Sequence, residues 1–306
     1  MTALGGGVSS IVLLVESGSY RVVVKQPRSR LLVADEWLAN PERAFIEAAA
    51  LNLARATTPA AVPVLLDLDA ESCTMTMTAA PASWRSWKEL LLEGVVDLSV
   101  AQRLGALLGT WHRVSTQDGA KLTGLTDLEV FTQLRIDPFY RTIATRHPDV
   151  AEQVTLAAGP LIDGSHSCFV HGDFSPKNVL VGDDGLWVID FEVAHAGNPV
   201  FDLAFLVAHL LLKSVHRPLG TESYRRCAAQ FLECYRDAAG AMLVPADESL
   251  GLQVGCLVLA RVDGKSQAEY LTTTEREHAW RIGVRLLREP VHPFSVWPSS
   301  YGCEPL

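Results

Sequence analysis

From Ser10 to Thr78 the apolar residues fall in short runs broken by turn formers. IVLLVE (Ile11–Glu16) and YRVVVK (Tyr20–Lys25) are rich in β-branched residues and are joined by Ser-Gly-Ser, which predicts two strands and a hairpin. NPERAFIEAAALNLARA follows (Asn40–Ala56). Asn40 suits an N-cap, Pro41 suits the first helical position, and the Ala, Leu and Glu content favours helix. VPVLLDLD and CTMTMTA predict two more strands. Near Ala79–Ser83 the period changes. SWKELLLEG and VAQRLGALLGTWHRVS carry apolar residues at helical spacing. Strands return in CFVHGD and NVLVGDDGLWVIDFE, helices resume after Pro199, and the Pro- and Ser-rich tail HPFSVWPSSYGCEP predicts irregular structure. The pattern therefore divides the chain into a β-rich N-terminal lobe, residues 1–81, and a larger helical lobe, residues 82–306. The fold class is α+β, with the polar motifs on loops of the second lobe, where a rigid scaffold holds chemically active groups.

At 306 residues and 48% apolar composition the chain can bury a large core. Its net charge is −9, with no Lys/Arg run, which argues against nucleic acid as a partner. The acidity is compatible with a cationic ligand, although a solvated acidic surface explains it as well. Six scattered cysteines form no CxxC pair, so neither a zinc site nor a disulfide framework is indicated. MTALGGGVSS lacks the regions of a signal peptide. VFDLAFLVAHLLL is too short to span a bilayer and contains Asp202 and His209. The expectation is a cytoplasmic protein without a membrane partner.

The chemistry is concentrated in HGDFSPKN (His171–Asn178) and the VIDFE that follows, which contains Asp190. Phosphoryl transfer from ATP needs a divalent ion on the phosphates, a cation on the α/β phosphates and a carboxylate to orient the attacking hydroxyl. Magnesium takes oxygen ligands, few of them from protein. Asn178 and Asp190 supply such oxygens from neighbouring segments, which leaves Asp173 to accept a proton. Asp, Asn and Gly are also ordinary turn residues, and GDDG (Gly182–Gly185) reads simply as a hairpin turn. Turn chemistry does not account for the whole ordered set. Upstream, Lys25 on a strand followed by Glu47 on a helix is the order of a phosphate-binding lysine and its partner. GGGVSS places Ser9 and Ser10 in a candidate phosphate loop.

HGDFSPKN, VIDFE and GNPVFDLA resemble the aminoglycoside phosphotransferase superfamily of small-molecule kinases, which is related to protein kinases. The resemblance covers the catalytic half and, less fully, the N-terminal lobe. It implies a protein-kinase-like fold, ATP and Mg²⁺ as cosubstrate and cofactor, and a small-molecule hydroxyl acceptor such as a sugar, amino sugar or amino alcohol. It also implies Asp173 as base, Asn178 and Asp190 as magnesium ligands, and Lys25 with Glu47 on the phosphates. Asp202 would be a buried brace and His171 a structural hydrogen-bonding residue. The backbone of the connector around Thr78 and Ala80 would bind adenine. The stretch from VVVKQP through WLANPERAFIEAAAL to MTMTAAP is similar in part to 5-methylthioribose kinases. Three features depart from protein kinases: Asp-Phe-Glu where they have Asp-Phe-Gly, His-Gly-Asp where they have His-Arg-Asp, and only MTAL ahead of the glycines.

Competing readings are a nucleotide-binding pseudokinase and an aspartyl phosphatase using Asp67 and Asp69, which otherwise cap a hairpin. GKS (Gly264–Ser266) lacks the earlier glycine of a P-loop, because Leu259 stands there. Trp84 and Trp87 suit either a ligand wall or packing at the lobe junction. Arg135, Asp137 and Tyr140 are acceptor-site candidates, and with His147 they could equally line a helix surface. His112, His195 and His209 lack metal-ligand spacing. The acceptor, the preference between ATP and GTP and the oligomeric state are not encoded in any motif.

Overall fold

The computed structural model describes residues 1–4, 9–18, 20–32, 37–164 and 168–298. The N-terminal half-sheet is built from β1 (Thr2–Ala3), β2 (Ser10–Ser17) and β3 (Tyr20–Pro27). After α1 (Arg43–Thr57) it is completed by β4 (Leu65–Asp69) and β5 (Thr74–Thr78). The five strands are antiparallel in the order β1-β2-β3-β5-β4. Strand alternation puts Val23 and Lys25 on one face. Ala44 and Ala48 of α1 pack with Met75 and Met77 of β5 under that sheet, with Val23 against them. The segment that bears the candidate phosphate loop, Gly5–Val8, lies outside the described residues; Ser9 and Ser10 lie within them.

Then come β6 (Arg85–Ser86), α2 (Trp87–Glu93), α3 (Leu98–Gln117) and α4 (Glu129–Phe131), which runs through a π-helical stretch, Thr132–Arg141, into α5 (Thr142–Arg146). After α6 (Ala151–Ile162), the island of strands contains β7 (Cys168–Val170), β8 (Val179–Gly182), β9 (Gly185–Val188) and β10 (His195–Gly197). The remaining long helices are α7 (Val200–His216), α8 (Thr221–Ala239), α9 (Asp247–Asp263) and α10 (Thr273–Arg288). β7 pairs with β10, and β8 pairs with β6 and β9. α7 is buried from Val200 to Val215, and its sequence is accordingly apolar around most of its circumference, Asp202, His209 and Lys213 excepted. No helix among the described residues is long and apolar enough to cross a membrane.

Several local expectations shift. α1 begins at Arg43 rather than Pro41, because Asn40 spends its side-chain oxygen on the Glu42 N–H and shapes a turn ahead of the helix. Glu47 therefore sits near the N-terminal end of α1. β3 runs on past Lys25, with Pro27 opposite Ser10. Trp84 lies over the Gly182–Gly185 hairpin, where any side chain on Gly182 would strike its ring, and donates to Asp184 at 2.8 Å. Trp87 is fully buried. Both are packing residues. Asp69 accepts from the Glu71 N–H and the Ser72 hydroxyl, so it caps the β4–β5 turn. Gly264 to Ser266 close the end of α9, where Ser266 accepts from Arg261.

α3 crosses α8 at close range through Gly105 and Gly109, spaced four apart on one face. A β-carbon on Gly105 would stand 2.2 Å from the Phe231 carbonyl oxygen. Gly105→Ala is expected to cost about 1–3 kcal/mol of stability. Gly119→Ala, where the added carbon meets open space, should stay within about 0.5 kcal/mol of the parent. Thermal and urea unfolding of the two variants checks this. Equal stabilities would mean that the α3–α8 crossing is not set by this contact.

Candidate active site

The loop between β7 and β8 is held from behind by one carboxylate. Asp202, fully buried on the first turn of α7, accepts from the His171 N–H at 2.7 Å and from the Gly172 N–H at 2.9 Å. Gly172 has φ +75°, and a β-carbon there would lie 2.4 Å from the Val193 carbonyl oxygen. Only glycine combines that conformation with that approach. The His171 Nδ1 accepts from the Asp173 N–H at 3.1 Å, and its Nε2 faces the Ile189 carbonyl at 3.2 Å. That pairing fixes a neutral ring protonated on Nε2. Burial lowers its pKa against the pull of nearby carboxylates, which agrees.

Asp173 is turned into the molecule between two cations. Its Oδ2 lies 3.1 Å from Arg135 Nη2 and 3.0 Å from Lys177 Nζ. Burial acts to raise its pKa, but Lys177 and Arg135 outweigh it and hold the carboxyl below its usual range. Arg135 is itself anchored by Nε to the Gly172 carbonyl at 2.7 Å. Asn178 donates its amide nitrogen to the Asp173 carbonyl at 2.9 Å and accepts the Ile189 N–H on its own carbonyl. This commits the amide nitrogen and leaves the side-chain oxygen as the remaining acceptor.

Asp190 follows at φ +70°, a strained setting that an aspartate tolerates. Its carboxylate reaches Lys25, which also bonds Glu47 at 2.7 Å. Glu192 lies 3.9 Å from Lys25 and accepts from Arg43 Nε at 3.0 Å and the Ser10 hydroxyl at 3.3 Å. Burial alone would lower Lys25, yet Asp190, Glu47 and Glu192 together hold it well above the ordinary lysine range. Burial acts to raise Asp190, but Lys25, Lys177 and His171 together hold it well below the ordinary carboxylate range. Glu47 is pushed up by burial against the pull of Lys25.

Sequence residues are thus gathered into two adjoining clusters, Asp173 with Asn178, His171 and Asp202, and Lys25 with Glu47 and Asp190. Ser10 is buried at the second. The Ser9 carbonyl is held by Arg43 at 2.6 Å. Three expected residues are engaged elsewhere. Thr78 spends its N–H on the Val64 carbonyl inside the sheet, so it cannot donate to an adenine. Tyr140 is buried and donates to Gln253 at 2.6 Å. Asp137 is half-buried and pairs with Arg141 one helical turn on. Of the three acceptor candidates, only Arg135 contacts Asp173. Ala80 presents its carbonyl to Arg21 at 3.1 Å. Arg43, Lys177 and Glu192 were not singled out from sequence. Glu192 had a cue, since it replaces the glycine of Asp-Phe-Gly; Arg43 in a helix start and Lys177 in a loop had none.

The donor set suits a hard divalent cation. Glu47, Asp190 and Glu192 present carboxylate oxygens within 4.8 Å of one another, and the Asn178 oxygen follows on the adjoining segment. All are oxygen ligands of the kind magnesium and calcium take. Lys25 occupies the centre of the three carboxylates, so it is the cation against which any metal there would be balanced.

A family model for the phosphotransferase enzyme family matches residues 1–242. Methylthioribose kinase 2 of Oryza sativa subsp. japonica is 25% identical over 237 residues, covering 68% of this chain and 55% of that protein, so the chain spans little more than half of this relative's length. Among solved structures, an amicoumacin kinase in complex with AMP-PNP and Ca²⁺ superposes with a TM-score of 0.60 at 14% identity, covering 97% of this chain and 90% of that one. A choline kinase from Cryptosporidium parvum Iowa II gives 0.59 at 11% identity, covering 97% and 92%. These likenesses agree with the protein-kinase-like α+β fold expected from the sequence, and the matched residues span well over half of the chain: it belongs to the phosphotransferase enzyme family.

Proposed function

We propose that the chain transfers the γ-phosphoryl group of ATP to a hydroxyl of a small molecule in a cleft between a nucleotide-binding lobe, residues 1–81, and a catalytic lobe, residues 82–306. The observation that carries this reading is the Asp173 carboxylate, buried, ionised and aimed between Arg135 and Lys177, beside the Lys25–Asp190 pair. The family membership and the AMP-PNP and Ca²⁺ named for one structural neighbour support nucleotide and divalent-metal use.

Asp173 orients the acceptor hydroxyl and takes its proton as the new P–O bond forms and the bond to the β-phosphate oxygen breaks, releasing ADP. Lys25 holds the α/β phosphates, and Glu47 keeps its ammonium in place. Magnesium, held by Asn178 and Asp190, would supply charge neutralisation on the phosphates. Arg135 fixes the loop through Gly172 and, with Lys177, keeps Asp173 ionised. His171 and Asp202 hold the loop backbone and move no proton. Positioning and electrostatics supply most of the rate in such a site.

ADP release with Mg²⁺-ATP and a library of sugars, amino sugars, amino alcohols and methylthioribose tests the reading. Nucleotide binding with no transfer to any acceptor would instead fit a pseudokinase. Asp173→Asn is expected to lower kcat by about 10²–10⁴-fold while ATP binding, measured by calorimetry, persists. Asp67→Ala should leave kcat unchanged, and its loss of activity would revive the phosphatase reading. Lys177→Ala removes a cation that holds the Asp173 pKa down, so the acid limb of the kcat/KM profile should move to higher pH. An unmoved limb would mean that Asp173 is not the group titrating. Lys25→Met leaves buried carboxylates uncompensated and should cost about 3–5 kcal/mol of stability as well as ATP affinity.

A further inference from the structure

One face of α7 leads away from the catalytic loop. Asp202, Phe205, His209 and Lys213 follow one another at three- or four-residue spacing, so they share a side of the helix. Asp202 braces the loop. The Arg135 guanidinium, which contacts Asp173, lies over the Phe205 ring at 5.6 Å. His209 packs on Phe205 at 5.1 Å between ring centres. Lys213 is 1% exposed, and its ammonium folds back one turn toward the His209 carbonyl at 3.4 Å.

This lysine has no carboxylate within ion-pairing distance among the described residues. It lies over the face of Tyr270 at 5.4 Å. The Tyr270 hydroxyl is buried without a hydrogen-bond partner, and so is the Nε of Arg261 on α9. Arg261 is close enough to Asp173 for their charges to interact. Burial first, then the charges of Lys88 and Arg261, pull Lys213 down to about 7. Glu269 is the nearby acid, and it is spent at the surface on Lys88. A buried amine without a counter-ion beside two unmet polar atoms is a costly arrangement unless something binds there.

We propose that the acceptor carries an anionic group, a carboxylate or a phosphate, in addition to its hydroxyl, and that Lys213, Arg261 and Tyr270 bind that group while Asp173 receives the hydroxyl. This rests on the phosphotransferase reading above and names the substrate class of that site. An oxyanion accepts hydrogen bonds from an ammonium, a guanidinium and a phenol at once, and a guanidinium matches its geometry. The same cations disfavour an ammonium-bearing acceptor. The acidic net charge of the whole chain does not report this local field.

Acceptors of matched skeleton and different charge decide it: D-gluconate, glucose and glucosamine; D-glycerate and glycerol; ribose 5-phosphate and ribose. ADP release gives kcat/KM, and calorimetry gives binding of the same compounds. The acidic member of a set is expected to exceed its neutral partner by about ten-fold or more, with the amine the poorest. The gluconate and glycerate arms report a carboxylate, and the ribose 5-phosphate arm reports a phosphate. Lys213→Met should erase the advantage by raising KM for the acid about ten-fold more than KM for its neutral partner. It should also raise the Tm of the unliganded protein, because it removes an unpaired buried charge, whereas loss of a merely structural lysine would lower it. Preference for the neutral or cationic member, or acid binding unaffected by Lys213→Met, overturns the inference and leaves the phosphotransferase reading standing. If no compound is phosphorylated, that reading fails. Calorimetry with gluconate, glycerate and ribose 5-phosphate then still decides the anion site, and no binding to the parent protein overturns it.

Discussion

Three carboxylates and two cations from distant parts of the sequence are buried together where the sheet meets the helical region. Lys25 from β3 bonds Glu47 from α1 and Asp190 from the segment after β9. Glu192 from that segment bonds Arg43 from α1 and Ser10 from β2. Charges removed from water persist only where each has partners, and deleting one leaves the others uncompensated. The cluster therefore constrains the relative placement of sheet, helix and loop. The proposed nucleotide- and metal-binding groups are held in one place by the interactions that join the sheet to the helical region.

Glu192 gives this junction its particular form. A glycine following Asp-Phe would have no side chain to reach the N-terminal elements. Here the carboxylate crosses to Arg43, whose other nitrogens are spent on the carbonyls of Ser9, Arg28, Ala39 and Asn40. One fully buried arginine thus ties the start of β2, the end of β3 and the turn before α1 to the segment of Asp190 and Glu192.

The loop of Asp173 depends on a second arrangement, linked to the first through Ile189. Asp202 satisfies two consecutive backbone N–H groups, Gly172 supplies the backbone turn, and His171 accepts the next N–H. Asp173 is positioned by these backbone hydrogen bonds together with its ion pairs to Arg135 and Lys177. The same helix that braces the loop also carries Lys213, so the loop geometry and the proposed anion site share one support.

Much of this was legible in residue order. His-Gly-Asp, the asparagine after it, the aspartate after the next strands and the strand lysine followed by a helix glutamate are local patterns, and each is set by backbone chemistry within a few residues. Periodicity separated sheet from helix for the same reason. Helix α1 was legible as a helix but not in its first residue, because the Asn40 side chain could cap either a helix or a turn. What sequence could not rank were side chains whose role depends on distant partners. Arg135, Asp137 and Tyr140 lie within six residues of one another, yet one meets Asp173, one pairs with Arg141 and one is taken into the core by Gln253. Lys213 within an apolar helix and Arg261 at the end of another became neighbours of the site through helix packing alone. The sequence by itself determined the elements and the order of reactive groups, because those follow from short-range sterics and hydrogen bonding. Which charges face one another was decided by the tertiary structure, because electrostatic partnership depends on distance through space and on burial, and neither is written in linear order.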